Sequence, residues 1–262
     1  MEKCKIITIA NQKGGTGKTT TACNLGFALA EKGHRVLLVD FDPQANLSMS
    51  FGIERPDELE ISMNDILALI MDEMPLPDKN EYVMRGRKLD IIPCNINLAV
   101  TEINLRDELG GEHVLSELLE PLRSDYSYII VDSNPYLGLL TINTLAACDK
   151  VVIPVSPQLW SATGLTDLIQ SIFKVKRKIN PQIEIAGILM TMCDERTRLF
   201  RDAKGLLDDF CGDKIRIFST LIPSTVRVGE ANYASSSVIE YDANCKAAKA
   251  YKAFASEVEL YA

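Results

Sequence analysis

Seven short apolar runs, separated by amphipathic stretches, constrain this chain more than any other feature of its sequence. They fall at 5–10 (KIITIA), 35–40 (RVLLVD), 88–93 (KLDIIP), 128–132 (YIIVD), 150–155 (KVVIPV), 183–191 (IEIAGILMT) and 215–222 (IRIFSTLI). Most are nearly continuous in Val, Ile and Leu rather than alternating. That is the pattern of parallel strands covered on both faces. Helical patterns fill the gaps at 18–32, 62–71, 96–107, 113–122, 138–147, 161–179, 196–210 and 242–260. Such alternation predicts βαβ units: an α/β fold of three layers, a predominantly parallel, doubly wound sheet with helices on both faces. Residues 72–80 (DEMPLPDKN) read as an exposed loop. No long linker, repeat or low-complexity block interrupts the pattern, which predicts one domain over 1–262.

The turn after the first run carries the clearest chemistry. Residues 11–20 read NQKGGTGKTT, between a strand ending at Ala10 and a helix beginning near Lys18. Small residues let a backbone wrap closely around phosphate oxygens, with its N–H groups and the helix N-terminus facing the negative charge. Gly14, Gly15, Thr16, Gly17, Lys18, Thr19 and Thr20 are the predicted nucleotide-binding residues. Lys18 is placed for the β- and γ-phosphates, the Thr19 hydroxyl for Mg²⁺ and Thr20 for the α-phosphate. The usual pattern has a glycine where this chain has Gln12, and a second lysine, Lys13, follows it. Spacing alone leaves Lys13 as a solvated loop residue.

Two later strands end in carboxylates. VLLVDFDPQAN (36–46) closes on Asp40, Asp42 and Pro43, and IIVD (129–132) closes on Asp132. Ligands bind at the carboxyl ends of strands in open α/β sheets. A carboxylate there can accept from a magnesium-bound water or from the loop threonine.

Composition narrows the rest. The chain has 262 residues and a net charge of −8, which excludes a surface coated in basic charge but not a local basic patch. Seven scattered cysteines with no Cys-x-x-Cys pair predict neither a disulfide framework nor a zinc site, and a cytoplasmic setting. His34 and His113 are isolated. The N-terminus MEKCKIITIA lacks a signal-peptide layout, and no apolar run approaches the ~20 residues of a membrane span.

KGGTGKTT resembles the deviant Walker A loop of the ParA/MinD/Soj family of P-loop ATPases, which also contains the nitrogenase iron protein. The resemblance implies that Lys13 crosses a dimer interface to the partner's nucleotide, as an arginine finger does. DFDPQAN resembles the family's switch, implying that Asp42 positions the attacking water and that Asp40 sits near the magnesium shell. IIVD resembles its Walker B strand. The following SNPYLGLLTINTLAACD matches the family's next segment except that Ser133 and Asn134 replace Thr-Pro, and Asn134 is expected to loosen that turn. GILMTMCDERTRLF and LIPSTVRVGEA resemble adenine-site segments, which puts Met192 and Pro223 beside the base. The likeness covers residue 3 to roughly 260 and fades after Ala231, at NYASSS.

The resemblance implies an ATPase using ATP and Mg²⁺, with Lys13, Lys18 and Asp42 catalytic and Thr19, Asp40 and Asp132 at the metal. Three branches compete. A ParA/Soj-like partitioning ATPase would dimerise on ATP, bind non-specific double-stranded DNA and be stimulated by a ParB-like protein. It would associate with the nucleoid when ATP-bound. Arg196 and Arg227 match DNA-contacting positions; Arg198, Arg201 and Lys204 extend that cluster, and Lys174, Lys176, Arg177 and Lys178 form another. A MinD-like positioning ATPase needs a basic amphipathic C-terminal helix, whereas KAAKAYKAFASEVELYA ends in Glu257 and Glu259 and is expected to pack on the domain rather than anchor in a membrane. An iron–sulfur reductase would need a cysteine motif that Cys94 and Cys148 do not form. A weakly hydrolysing, nucleotide-gated adaptor stays open through the altered DSNPY. The chain starts at its first strand, so it is expected to lack an N-terminal helix-turn-helix.

Overall fold

The computed structural model describes residues 3–158 and 160–261. In chain order its elements are β1 (Lys5–Ile9), α1 (Lys18–Glu31), β2 (Val36–Phe41), α2 (Asn46–Ser50), α3 (Met63–Met71), α4 (Lys79–Tyr82), β3 (Met84–Arg85), β4 (Asp90–Ile92), α5 (Leu98–Asp107) and α6 (Val114–Leu119). There follow β5 (Tyr128–Ser133), α7 (Leu139–Ala147), β6 (Lys150–Val155), α8 (Ala162–Lys178), β7 (Glu184–Cys193), α9 (Arg198–Cys211), β8 (Ile217–Pro223), α10 (Val226–Tyr233), α11 (Val238–Tyr241) and α12 (Lys246–Tyr261). Among the described residues the sheet has eight strands in the order β3-β4-β2-β5-β1-β6-β7-β8. Every pairing is parallel except that of the edge strand β3 with β4.

The continuous apolar runs have the expected cause. Along β2, Leu37 and Val39 enter the core shared with α3, α6, α7, α8 and α9, while Val36 and Leu38 enter the core shared with α1 and α12. Ile6 and Ile7 of β1 divide the same way. Both faces are covered, so both side-chain sets are apolar. On the second face, Tyr251, Phe254 and Val258 of α12 are fully buried, and Phe254 meets Phe218 of β8 edge-to-face at 5.0 Å. Such a pair adds about 0.5–1.5 kcal/mol beyond its area. The apolar side of α12 therefore packs on the fold, as its sequence suggests. No helix among the described residues is long and apolar enough to cross a membrane.

Several boundaries differ from the sequence reading. The stretch 113–122 is α6 followed by a separate 3₁₀ turn, Pro121–Ser124, because Pro121 cannot continue the i to i−4 bonding. The predicted 242–260 helix begins only at Lys246. The loop at 72–80 gives way to α4, capped by Asp78, whose carboxylate accepts from Asn80 N–H. β3, α2, α10 and α11 leave no mark in the sequence pattern. β3, α2 and α11, of two to five residues, are too short to show a period, and α10 begins directly after β8 within a stretch of mixed polarity.

β1 lies in the middle of the sheet, between β5 and β6, with β2 beyond β5. The carboxyl ends of β1, β5 and β2 are thus neighbours, and Asp40 stands level with Asp132 in the β2–β5 register. The three sequence motifs meet at this edge.

Candidate functional site

The loop after β1 closes on itself. Gly17 caps α1 with φ +85°, a left-handed conformation that a residue with a Cβ adopts only at a cost. Thr16 is buried, and its hydroxyl donates to the Lys13 carbonyl at 3.3 Å. The Lys18 ammonium donates to that same carbonyl, also at 3.3 Å. The loop is fastened outward by Thr191 of β7, whose hydroxyl donates to the Thr16 carbonyl at 2.8 Å. Asn11 secures its entrance: its Nδ2 donates to the Pro154 carbonyl and its Oδ1 accepts from Lys13 N–H.

Lys13 faces the other way. Lys13, Gly14 and Gly15 are exposed, whereas Lys18 is 7% exposed. The Lys13 side chain lies along the start of α8: a Cβ on Gly164 would come 3.6 Å from its Cε. A narrow cleft here is lined by Lys13, Thr16, Ser156, Trp160 and Gly164.

Three carboxylates share the neighbouring space. Asp40 and Asp132 are fully buried and Asp42 is 7% exposed. Burial lowers the Lys18 pKa, opposed by the charges of Asp132 and Asp42. Burial also drives Asp132 well above the ordinary carboxylate range, and the Asp40 charge adds to this; the Thr19 hydroxyl and Lys18 act against it. Asp42 is raised by burial too, opposed by Gln44 N–H and Lys18.

Asp132 is the least satisfied group of this arrangement. Both its oxygens are buried and, among the described residues, neither has a hydrogen-bond partner, although Thr19 is near enough to favour the charged form. A buried carboxylate left in this state lacks a cation or a donor. Hard oxygen donors from one carboxylate and one threonine fit magnesium, which is usually held by one or two protein groups and substrate phosphates. Among the described residues no group of three His, Cys, Asp or Glu gathers into a metal cage.

Asp40, level with Asp132, is tied into the fold through both oxygens. Its Oδ2 accepts from both the N–H and the hydroxyl of Ser48 at 2.7 Å, and its Oδ1 from Asp42 N–H at 3.3 Å. Burial still raises its pKa to about 6. Ser48 Oγ in turn accepts from Cys94 N–H at 3.0 Å, and the Cys94 thiol donates to the Asp42 carbonyl at 3.3 Å. The Asp42 backbone is therefore held on one side by Asp40 and on the other by Cys94. Its carboxylate accepts from Gln44 N–H, and the chain then turns through Ala45 at φ +52° into α2. The sequence alone does not point to this role for Ser48 or Cys94. Ser48 follows the switch directly, but nothing local pairs it with a residue 46 positions away.

The altered segment after Asp132 is tied rather than loose. Ser133 Oγ donates to the Ile9 carbonyl at 2.9 Å, and Asn134 Oδ1 accepts from the Thr141 hydroxyl at 2.7 Å. Where a proline would fix the turn covalently, Asn134 fixes it to the first turn of α7.

Met192 and Pro223 stand at the ends of the adjacent strands β7 and β8. Cys193 and Pro223 are in register, and Met192, at φ +52°, puts its side chain beside the loop: a Cβ on Gly17 would lie 3.8 Å from its Cε. Arg196 and Arg227 leave these same adjacent strand ends, and both are engaged. Asp194 receives Arg196 in two parallel bonds of 2.9 Å; Arg227 meets Glu230 at 2.7 Å and Asp242 at 3.5 Å. On α9, Arg198 and Lys204 pair with Asp202 and Asp208 one turn on.

Comparison with known proteins places the chain among relatives of the same fold. The profile of a family described as an AAA domain matches residues 4–185. The sporulation initiation inhibitor protein Soj of Bacillus subtilis is 41% identical over 97% of this chain and 98% of its own. The chromosome partitioning protein ParA of Caulobacter vibrioides is 39% identical over 97% of this chain and 93% of its own. Among solved structures, cobyrinic acid a,c-diamide synthase from Mycobacterium smegmatis, with bound ATP analog and magnesium, superposes with a TM-score of 0.82. It is 33% identical, over 97% of this chain and 93% of that one.

Proposed function

This chain belongs to the ParA/Soj family of P-loop ATPases, and from that premise we propose that it is a DNA-partitioning ATPase whose site is completed by a second copy. One observation carries the reading: the carbonyl of Lys13 faces inward to Lys18 while its side chain lies outside on the surface. A lysine in that position serves its own loop through its backbone and is free to serve another through its ammonium.

Residues 14–20 wrap the phosphates of ATP, and Lys18 leaves the Lys13 carbonyl to meet the β- and γ-oxygens. Thr19 and Asp132, with Asp40 behind them, would hold magnesium, which would supply positive charge to offset that of the phosphates. Lys18 and that charge remove the reason for Asp132 to stay protonated. Met192 and Pro223 flank the base. Two copies then close face to face, and Lys13 of each stabilises negative charge on the other's γ-phosphate. Asp42, clamped through its backbone by Asp40 and Cys94, orients the attacking water. A ParB-like protein stimulates that step. Only the closed dimer presents enough cations at once to hold DNA, through phosphate contacts and without regard to sequence. Arg196 and Arg227 serve there after exchanging their carboxylate partners for phosphates. In this reading residues 1–262 act as one unit, free in the cytoplasm after hydrolysis and on the nucleoid before it.

Single-turnover hydrolysis and light scattering, each with and without duplex DNA and Mg-ATP, test this. The expected result is an ATP-dependent dimer that binds DNA of unrelated sequences equally and loses it on turnover. DNA binding indifferent to nucleotide would refute it. An ATP-dependent dimer that never hydrolyses would support an adaptor instead.

A further inference from the structure

A half-open apolar groove of about 280 Å³ runs between α7 and α8. Leu137, Ile142 and Leu145 of the first helix and its approach, with Val175 and Ile179 near the end of the second, form its floor. Next to Ile179, Asn180 ties the two helices together, its Nδ2 donating to the carbonyls of Leu145 and Cys148. The groove begins at Ser171, seven residues beyond Gly164 and so roughly 10 Å along α8 from the Lys13 cleft. It is therefore separate from the nucleotide site.

Three cations stand on its rim: Lys174, Arg177 and Lys178, all exposed. Among the described residues none of them takes part in an ion pair. This contrasts with α9, where Arg198 and Lys204 have carboxylates one turn away. In a chain of net charge −8, three neighbouring cations without carboxylate partners beside an apolar trough form a distinct surface.

We propose that this groove docks a short acidic amphipathic helix of a partner protein, its aliphatic side chains on the Leu137–Ile142–Val175–Ile179 floor and its carboxylates against Lys174, Arg177 and Lys178. The shape and the charge each select against other occupants. Non-specific DNA contact runs from exposed cations to phosphates and would leave the apolar floor of Leu137, Ile142, Val175 and Ile179 unused. Membrane-surface helices present a convex apolar face, whereas this surface is concave. A second copy docking by the same face would oppose one basic rim to another. A helix laid in a groove uses anchors at i, i+4 and i+7, and its flanking charges fix partner and orientation.

The test uses the full chain and a fluorescein-labelled amphipathic peptide with leucines at i, i+4 and i+7 flanked by glutamates. Anisotropy is expected to show saturable binding that weakens with salt. The Lys174→Glu/Arg177→Glu/Lys178→Glu variant should bind at least about tenfold more weakly, with unchanged melting temperature and ATP hydrolysis. A companion peptide with lysines in place of the glutamates should recover binding to that variant and not to the wild type. Ile142→Ser should weaken the first peptide without altering its salt dependence. Equal binding by wild type and triple variant overturns the proposal. So does equal binding of a peptide whose leucines are replaced by serine. If the triple variant instead loses binding to duplex DNA or to phosphatidylglycerol vesicles while the peptide never binds, the cations serve another class of ligand and the proposal fails. None of these outcomes depends on the partitioning role.

Discussion

The Lys18 ammonium donates to the backbone carbonyl of Lys13, 3.3 Å away, so one short loop turns its two lysines in opposite directions. Their substitutions should therefore separate cleanly. Lys18→Ala removes a charge-assisted bond to phosphate worth about 2–3 kcal/mol, so ATP affinity should fall about a hundredfold in a fluorescent-nucleotide titration. Lys13→Ala touches only an exposed side chain. Monomer affinity and melting temperature should match the wild type, while single-turnover hydrolysis slows about a thousandfold and the ATP-dependent dimer disappears from light scattering. Equal losses of affinity in both variants would place Lys13 in its own subunit's site.

Asp42→Ala should leave nucleotide binding intact and slow hydrolysis by about 10²–10⁴-fold. The ATP-bound dimer should then accumulate in size-exclusion chromatography. Wild-type turnover would remove Asp42 from the chemistry.

Ser48 lies behind Asp42, between Asp40 and Cys94. Ser48→Ala strips Asp40 Oδ2 of one donor and Cys94 N–H of its acceptor in a fully buried place. Stability should fall by about 1–3 kcal/mol. The informative readout is kinetic: kcat should drop with KM for ATP unchanged, because the residue holds the Asp42 backbone and touches no phosphate.

The buried carboxylates give the nucleotide-free protein a pH signature. Asp132, like Asp40, holds its proton more tightly when folded than when unfolded, so the native state binds more protons and stability falls as pH rises. The fall begins near the ordinary Asp value of 3.8 and, for Asp40, is complete just above its folded value of about 6. Asp132→Asn abolishes one such group. Its melting temperature should exceed the wild type's by a margin that is small at about pH 4.5 and grows towards about pH 7. Saturating Mg-ATP should reverse the order, since only the wild type keeps the carboxylate. A margin independent of pH would show that Asp132 is not a buried acid in the free protein.

Arg196→Glu or Arg227→Glu should weaken binding to all DNA sequences alike and reduce the salt slope by about one for each phosphate no longer neutralised. Because Asp194 already holds Arg196 in two bonds, Asp194→Asn should do the reverse and strengthen DNA binding. Filter binding across a salt series measures both. Unchanged slopes in all three variants would move the DNA face elsewhere.

What the sequence disclosed here follows the range of the interactions. The loop, its flanking strand and helix, and Asp132 at a strand end are local patterns, and each stands where its motif implies. The layered sheet was legible because burial on both faces writes continuous apolar runs. The tie from Asp40 through Ser48 to Cys94 was not, since it joins two strands only after the sheet assembles. The two-residue strand β3 was illegible because a period needs more residues to appear. The pairing of Arg196 by Asp194, only two positions away, was readable and simply competes with the basic face that the same stretch suggests.

Trp160 lines the cleft that holds Lys13, its indole N–H is buried without a hydrogen-bond partner among the described residues, and it is the only tryptophan in the chain. The molecule thus carries a built-in optical reporter at the point where a second subunit would arrive. Changes in the polarity of that cleft register as shifts in intrinsic emission. Closure of the proposed dimer would therefore be followed in unlabelled protein, in real time, from a single chromophore.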